Sequence, residues 1–442
     1  METEPITSAS RLPVEGRAAP APNEAGPAMA RPLRIRDFRL IFSGETVSLL
    51  GDQFHFIALA WLALQLTGSG LALGTVLMTA GIPRAVFMLV GGAFSDRFSP
   101  RTLMLVSNGV RAVVVAILAA LVLTGNAQLW HLYVLAAIFG LVDAFFHPAL
   151  NTIVPMLVPE GQLPAANALM QGTAQLTGLV GPALAGIVIA AVQTGPAFAV
   201  DAVSFAIAAA VLVAVRSGRR VSAPAGDASS QLRPSMLATI REGIAYAWAH
   251  RAIRALLVMI AAFNFAFTGP ISVGLAWIAK TRFGGSADFG LMLSAFGAGA
   301  LVGAVVAGSL KRVPHLGAVT MTIAALLGVG LAAIGYAPTM PLMLAVGAAM
   351  GLGVGFINVR TIAWIQAEIP EALTGRIMSL VMFGSQALGP FSLALAGLII
   401  DLGAVTAMFA VAGVIVVLAA LAGVIWGVPR LMNEPPEIRS LP

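Results

Sequence analysis

The stretch LALGTVLMTAGIPRAVFMLVGGAF, residues 71–94, decides the fold, because Arg84 is its only charged residue. Its apolar residues form a continuous run and do not alternate with polar ones, a pattern that favours a helix over a strand of a membrane barrel. A helix of about 20 apolar residues crosses the hydrocarbon core of a bilayer. The stretch therefore predicts a membrane-spanning helix.

Comparable apolar runs occupy most of the chain. Of its 442 residues, 59% are hydrophobic and 10% are charged, and the mean hydropathy is +0.93, which is far from the balance of a water-soluble domain. The sequence thus predicts an all-α membrane protein with twelve transmembrane helices. The expected spans are 38–66, 71–95, 102–124, 129–153, 164–192, 197–215, 254–280, 288–310, 316–336, 340–364, 373–400 and 403–427.

Cations concentrate in segments that twelve spans would place on one side of the membrane: before the first span, after the second, after the sixth and after the eighth. The opposite loops carry none except Lys280 and Arg282. Since cytoplasmic loops are rich in Lys and Arg, we expect a multi-pass protein of the cytoplasmic (inner) membrane with both termini in the cytoplasm. The net charge of +6 then reflects topology. No nucleic-acid partner is expected, because clustered cations with aromatic platforms are missing.

Other classes of function are disfavoured by what the sequence lacks. The chain has no Cys, which excludes disulfides, thiolate metal sites and thiol catalysis. It contains no Gly-x4-Gly-Lys-Ser/Thr phosphate loop, which argues against ATP as an energy source. It shows neither clustered His, Asp and Glu ligands nor a nucleophile signature. We therefore expect no metal site, no cofactor and no enzymatic activity.

The chain contains an internal repeat. LAWLA at 59–63 returns as LAWIA at 275–279, and the same offset aligns Gly74 with Gly290 and Gly81 with Gly297. Gly181-Pro182 is echoed by Gly389-Pro390 at a nearly equal spacing. Parallel repeats of six helices are typical of transporters whose halves rock about a central site. The repeat predicts two pseudo-symmetric six-helix bundles.

The composition also suggests how the chain is divided. The N-terminal tail is rich in Ala and Pro and is expected to be disordered, and the polar segment between the bundles is expected to carry an amphipathic helix on the membrane surface. The expected parts are 1–37, a disordered cytoplasmic tail; 38–215, the N-terminal bundle; 216–253, the cytoplasmic linker; 254–427, the C-terminal bundle; and 428–442, a cytoplasmic tail.

The loop after the second span resembles the signature of the major facilitator superfamily, and the resemblance covers essentially all of 38–427. The matching residues are Gly92, Asp96, Arg97 and Arg101. The sequence departs from the signature at Ser99 and Pro100, where the family commonly has Gly and a basic residue. The resemblance implies a twelve-helix fold and a cytoplasmic gate in which these charges face the start of span eleven. The alternative is that they are interfacial anchors and topology signals.

Longer stretches, at 49–69, 82–101 and 241–257, resemble the branch of that family that holds enterobactin exporters and macrolide efflux proteins. The fifth span is similar to the Gly-Pro signature of exporters. Its residues are Gly178, Gly181, Pro182 and Gly186, with Gly389 and Pro390 as counterparts in the second half. The arginine-plus-glycine pattern that many proton antiporters carry on the fourth span is missing from FGLVDAFFHPALNTIV.

Charged residues inside the spans need an explanation. Each one raises the free energy of membrane insertion by roughly 2.5–3.5 kcal/mol on the translocon-based scale, which gives the lowest values. Four of them lie at nearly equal depth, about 20 Å from the outer face, so we expect the two acids and two arginines to neutralise one another. They are Asp52, Arg84, Arg111 and Asp143.

Polar residues also recur at helical spacing. Glu45, Asp52 and His55 share one face of the first span, and Asp143 and His147 share one face of the fourth. Two interpretations stay open: a water-filled cavity in which Asp52 is the best candidate for a proton carrier, or a static network that fixes helix packing.

The C-terminal half offers a bulky, deformable apolar surface, which suits an apolar substrate with few fixed hydrogen bonds. The same side chains are also ordinary packing residues. The weak candidates for substrate contact are Asn264, Phe267, Asn358 and Gln386.

Together these patterns predict a secondary active transporter, a monomer, that exports a small amphipathic compound by alternating access. The compound would be a drug, macrolide-like or siderophore-like molecule, and protons the coupling ion. An uptake or uniport carrier of the same fold is the first alternative, and a non-transporting membrane sensor is the second.

Overall fold

The computed structural model describes residues 28–95, 98–216, 251–310, 313–368 and 384–433, without the side chains of 88–95, 251–253, 367–368, 431 and 433. Several sequence predictions lie outside these ranges: most of both tails, the linker with its amphipathic helix, the charges of Asp96 and Arg97, and the first part of span eleven. All regular elements within the described ranges are helical.

In the described residues twelve helices of 13 or more residues follow one another, and eleven of them are long and apolar enough to cross a membrane. The predicted span 373–400 is described only from residue 384, and its helix begins at Gly389. The helices are α1 (Arg36–Thr67), α2 (Gly70–Ser95), α3 (Pro100–Leu123), α4 (Leu129–Leu157), α5 (Leu163–Val192), α6 (Thr194–Ala214), α7 (Arg251–Gly269), α8 (Ser286–Ser309), α9 (Leu316–Tyr336), α10 (Met340–Glu368), α11 (Gly389–Asp401) and α12 (Val405–Ile425). A short α13 (Val428–Asn433) follows.

The helix ends follow local chemistry. Gly68 ends α1 in the left-handed conformation, with φ of 64°, and its N–H donates to the Leu64 carbonyl, which is the conformation that favours glycine at this position. At the start of α3, the Ser99 side chain accepts a hydrogen bond from the Thr102 N–H, and Pro100 occupies the first turn. We call the side where α1 begins the terminal face and the side of Gly68 the loop face.

The span predicted at 254–280 differs from an ordinary α-helix. After α7 the chain stays helical to Phe283, but through two π-helical turns, Pro270–Gly274 and Ala279–Phe283. Proline has no N–H to donate to the preceding turn, so the hydrogen-bond ladder widens there.

Helix packing repeats with a period of six helices. In the first half α2 packs on α4, α3 on α6 and α1 on α6; in the second half α8 packs on α10, α9 on α12 and α7 on α12. Large apolar side chains on the outer surface, such as Leu123, Val305 and Leu326, remain exposed, as expected for helices that contact lipid. The prediction of two pseudo-symmetric bundles is therefore confirmed.

The two halves meet through glycines of the repeat. A methyl group on Gly74 of α2 would overlap the Leu393 carbonyl of α11, and one on its repeat partner Gly290 of α8 would overlap the Pro182 carbonyl of α5. Two hydrogen bonds add to the second contact, from the Ala183 N–H to Ser294 Oγ at 2.9 Å and from Ser286 Oγ to the Gly186 carbonyl. The α2–α11 and α5–α8 contacts are thus equivalent under the repeat.

Charged residues hold the α1–α2 turn on the loop face. Lys280 Nζ donates to the Leu64 carbonyl at 2.5 Å, at the C-terminal end of α1. Asp401, at the end of α11, accepts hydrogen bonds from Ser69 Oγ at 2.5 Å and from the Gly70 N–H at 2.6 Å, at the N-terminal end of α2. Each charge complements the dipole of the helix end that it contacts. We call this pair of contacts the loop-face clamp.

Candidate functional site

A cavity of about 460 Å³ lies between the halves, within the usual range for small-molecule sites. One wall is strongly polar and comes from α1 to α4, whereas the second half contributes small polar and apolar groups. Its polar lining residues are Glu45, Asp52, Gln53, His55, Arg84, Arg111, Asp143, His147, Thr268, Ser272 and Gln386.

Three of the predicted intramembrane charges form one cluster in the wall of the cavity. Arg84 Nε lies 3.0 Å from Asp143 Oδ2, and Arg111 Nη1 lies 3.3 Å from Asp143 Oδ1. The two arginines differ in environment, because the Arg84 side chain is 44% exposed and that of Arg111 is 2% exposed. Asp143 therefore neutralises a deeply buried guanidinium on one side and a water-accessible one on the other.

Aromatic rings complete the surroundings of Arg111. Its guanidinium carbon lies 4.4 Å from the ring centre of Phe146 and 4.8 Å from that of Phe205, distances at which a cation is attracted to the ring face. Its Nη2 donates to Ser107 Oγ at 3.1 Å. Burial of this charge is thus compensated by a carboxylate, a hydroxyl and aromatic faces.

Glu45 and Asp52 line the same cavity from one face of α1, separated by about two helical turns. Glu45 is buried, with 7% exposure, and Asp52 is partly buried. Neither makes a hydrogen bond or an ion pair with a residue that the structure describes. The expected neutralisation of four charges in one layer thus involves Asp143 and the two arginines, and leaves Asp52 outside the ion pairs.

His55 contacts an acid that the sequence analysis did not select. Its Nδ1 lies 3.1 Å from Oδ2 of Asp201 on α6, a carboxylate with 0% exposure, although the two atoms are not aligned as a hydrogen bond. The imidazole stacks on the Phe139 ring at 4.4 Å between centroids. Gly51 makes the approach of the helices possible, because a Cβ atom there would lie 2.6 Å from Asp201 Oδ1.

His147 lies one helical turn from Asp143 on α4 and is exposed to the cavity. The polar face predicted for α4 therefore does line an open space. The His147 imidazole and the Phe146 ring make a T-shaped contact, with 5.9 Å between their centroids.

The substrate candidates of the second half are only partly brought together. Gln386 lines the cavity. Asn264 donates instead to the Ile260 carbonyl of its own helix at 2.9 Å, Phe267 stacks on Phe263, and Asn358 is exposed outside the lining. The physical reason is helical phase: Thr268 and Ser272 occupy the cavity-facing positions of this segment.

The exporter-like signature lies at the contacts between helices. Gly181 packs on the Gln53 side chain, Gly186 on α8, and the Gly178 carbonyl on Gly297. In the second half Pro390 packs on Gly81, while Gly389 lies near Thr268. These small residues allow close helix approach.

The gate residues are described only in part. Gly92 lies in α2. Arg101 donates through Nε to the Leu212 carbonyl at 2.7 Å and through Nη2 to the Val213 carbonyl at 2.8 Å, at the C-terminal end of α6. Arg101 therefore stabilises a helix end within the first half. Asp96 and Arg97 lie outside the described residues, so the gate stays a prediction.

Sequence reasoning missed four charged or polar positions: Gln53, Asp201, Lys280 and Asp401. An acid in an apolar span is a signal in itself, but Asp201 lies near the start of its predicted span and away from the layer of the other charges. Lys280 and Arg282 appeared only as exceptions to the charge pattern. The structure gives them a reason, since Arg282 Nη1 donates to the Gly335 carbonyl at the end of α9 at 2.9 Å.

Comparisons with known proteins agree with this architecture. A family model described as Major Facilitator Superfamily matches residues 41–391 and 254–441. The multidrug efflux pump Tap of Mycolicibacterium fortuitum is 29% identical over 84% of this chain and 90% of its own length. Macrolide efflux protein A of Streptococcus pyogenes is 26% identical over 87% of this chain and 94% of its own length.

Solved structures share the fold at lower identity. A bacterial homologue of the iron transporter ferroportin, in an inward-facing state, superimposes with a TM-score of 0.69 at 18% identity, over 89% of this chain and 98% of that one. The nucleoside transporter NupG superimposes with a TM-score of 0.67 at 13% identity, over 88% and 99% of the two chains.

Proposed function

Because the chain belongs to the Major Facilitator Superfamily, a family that indicates a transporter and not an enzyme, we propose that it exports a small amphipathic compound in exchange for protons. The efflux pumps among its relatives support the direction, and Tap and macrolide efflux protein A support a drug-like or macrolide-like substrate. The terminal face is then cytoplasmic, and the protein acts as a monomer in the cell membrane.

Asp52 is the observation that carries the proposal. It lines the cavity and has no ion pair or hydrogen bond with a described residue, whereas Asp143 is held between two arginines. An unpaired carboxylate at membrane depth is costly when ionised, so it favours binding a proton or a compensating group of the substrate. Exchange of one for the other at Asp52 couples proton flow to export.

The loop-face clamp supports alternating access. Together with the α2–α11 and α5–α8 contacts it joins the halves on the loop face, above the cavity. For substrate to leave on that side, Asp401 and Lys280 must release the α1–α2 turn. The predicted gate at Asp96, Arg97 and Arg101 would then close the terminal face, so that the cavity opens to one side at a time.

Transport in inverted membrane vesicles tests the proposal. With the interior one pH unit more acidic and the membrane potential held at zero, vesicles that contain the protein should accumulate ethidium and erythromycin above the level of vesicles without it. Expulsion of the probes would favour the uptake carrier. If neither probe moves, even without a gradient, the export proposal fails and the sensor becomes the better interpretation.

Replacing Asp401 by Asn should weaken the loop-face clamp, because the side chain loses its charge at the N-terminus of α2. With a cysteine at Leu77, which lines the cavity, labelling by an impermeant maleimide from the loop face should rise about two- to fivefold, as expected for a helix-dipole contact. Asp288→Asn, the same change at the start of α8, serves as the control. Equal labelling of both variants would show that the clamp does not hold the face closed.

A further inference from the structure

Among the described residues of the first half Asp201 is the most deeply buried acid, and the transport mechanism above does not use it. Its side chain is 0% exposed. Within the described residues its side-chain contacts are His55 Nδ1 at 3.1 Å and Ser204 Oγ at 3.4 Å. A hydroxyl does not neutralise a charge, so His55 is the only group that can. An isolated carboxylate in such a place is too costly to stay ionised.

The charges around the cavity can be counted in two groups. In the first, Arg84 and Arg111 face three carboxylates, those of Glu45, Asp52 and Asp143, which leaves one negative charge. In the second group, the Asp201 carboxylate contributes another negative charge when His55 is neutral. Charge neutrality at membrane depth therefore requires one proton in each group.

The two groups differ in their ion pairs, because no arginine or lysine of the described residues lies within ion-pair distance of Asp201. The more buried guanidinium of the first group, that of Arg111, is engaged by Asp143, Ser107 and aromatic rings. The charged and titratable groups that line the cavity from the helices around His55 and Asp201 are Glu45 and Asp52 on α1, Arg84 on α2, Arg111 on α3, and Asp143 and His147 on α4; α5 carries none. The positive and negative charges of these groups balance once one carboxylate of the first group carries a proton.

We infer that His55 and Asp201 form a second proton-carrying site, which deepens the proposed proton exchange and rests on it. His55 lines the cavity with 11% side-chain exposure, so a hydronium ion there can transfer a proton to the imidazole and leave as water. The resulting imidazolium faces the Asp201 carboxylate. Asp52 and this pair then move two protons for each substrate molecule.

The limiting accumulation of substrate tests the inference, because it depends on the number of exchanged protons and not on the rate. In the inverted vesicles described above, with zero potential, each proton contributes about a factor of ten per pH unit. The wild type should therefore reach about a hundredfold accumulation of ethidium at a gradient of one unit. His55→Gln and Asp201→Asn should each stop at about tenfold.

Two further variants make the result specific. The double variant His55→Gln/Asp201→Asn should also stop at about tenfold, since both residues belong to one site. Asp288→Asn, the same chemical change outside the cavity, should reach the wild-type limit. A damaged but coupled transporter would approach the wild-type limit slowly, so a purely structural role of the pair does not imitate the expected result.

The outcomes separate the two proposals. If the wild type accumulates ethidium only about tenfold, the second site is overturned while proton exchange stands. The same holds if the single variants reach the same accumulation as the wild type. Ethidium exchange across the membrane that ignores the pH gradient would overturn the proton exchange itself, and the second site with it. If Asp201→Asn does not fold, the limit of His55→Gln compared with that of the wild type decides the matter.

Discussion

Asp143→Asn is expected to destabilise the protein by about 3–5 kcal/mol, the usual cost of removing one partner of a buried ion pair. The reason is Arg111, whose side chain is 2% exposed and would keep a hydroxyl and aromatic rings but no carboxylate at ion-pair distance. Thermal unfolding of the purified protein in detergent, followed by tryptophan fluorescence, measures the loss.

The two arginines provide matched controls. Arg84→Met should cost far less, because the Arg84 side chain is 44% exposed and its removal leaves the Arg111–Asp143 pair intact. The double variant Arg111→Met/Asp143→Asn should recover most of the lost stability, since neither of the two positions then carries a charge that needs a partner. A double variant as unstable as Asp143→Asn would show that the cost comes from something other than the uncompensated guanidinium.

Asp52→Asn is expected to lower the limiting accumulation from about a hundredfold to about tenfold or less at one pH unit, because one exchanged proton is lost. The amide is nearly the same size as the carboxylate, so folding and exchange of ethidium without a gradient should persist. Asp52→Asn combined with Asp201→Asn should remove the response to the pH gradient.

Asp52→Glu is the control for this prediction. It keeps a titratable carboxylate on the same face of α1 and should retain the wild-type limit, although its rate can differ. Wild-type accumulation by Asp52→Asn would remove Asp52 from the mechanism.

Much of the fold could be predicted from the sequence because hydrophobic length and repeated glycines act locally. The span predicted at 316–336 coincides with α9, and the repeat that aligns Gly74 with Gly290 is seen again in two equivalent contacts between the halves. The π-helical turns after α7 could not be predicted, since Pro270 permits them but the packing around it selects them. Bounds differed by a few residues where a helix continues beyond its predicted span, as in α4, which runs to Leu157.

The candidate site was less accessible to sequence reasoning. The position along each span predicts that Arg84, Arg111 and Asp143 lie in one layer. It does not predict which side chains form ion pairs, and in the structure Asp52 lies outside them. Rotation about each helix axis decides which side chains reach the cavity, and this phase places Thr268 in the lining and leaves Asn264 outside it. The His55–Asp201 contact joins α1 and α6, helices far apart in the chain, and depends on Gly51 having no side chain.

The backbone contacts made by glycine have a consequence for the speed of transport. Where α5 touches α8 and α2 touches α11, backbone carbonyl groups meet glycine Cα atoms. Displacement of one helix along the other therefore requires little rotamer rearrangement, so the activation barrier for reorientation stays low at these surfaces. Larger residues there would slow turnover even if the stability of the two end states were unchanged.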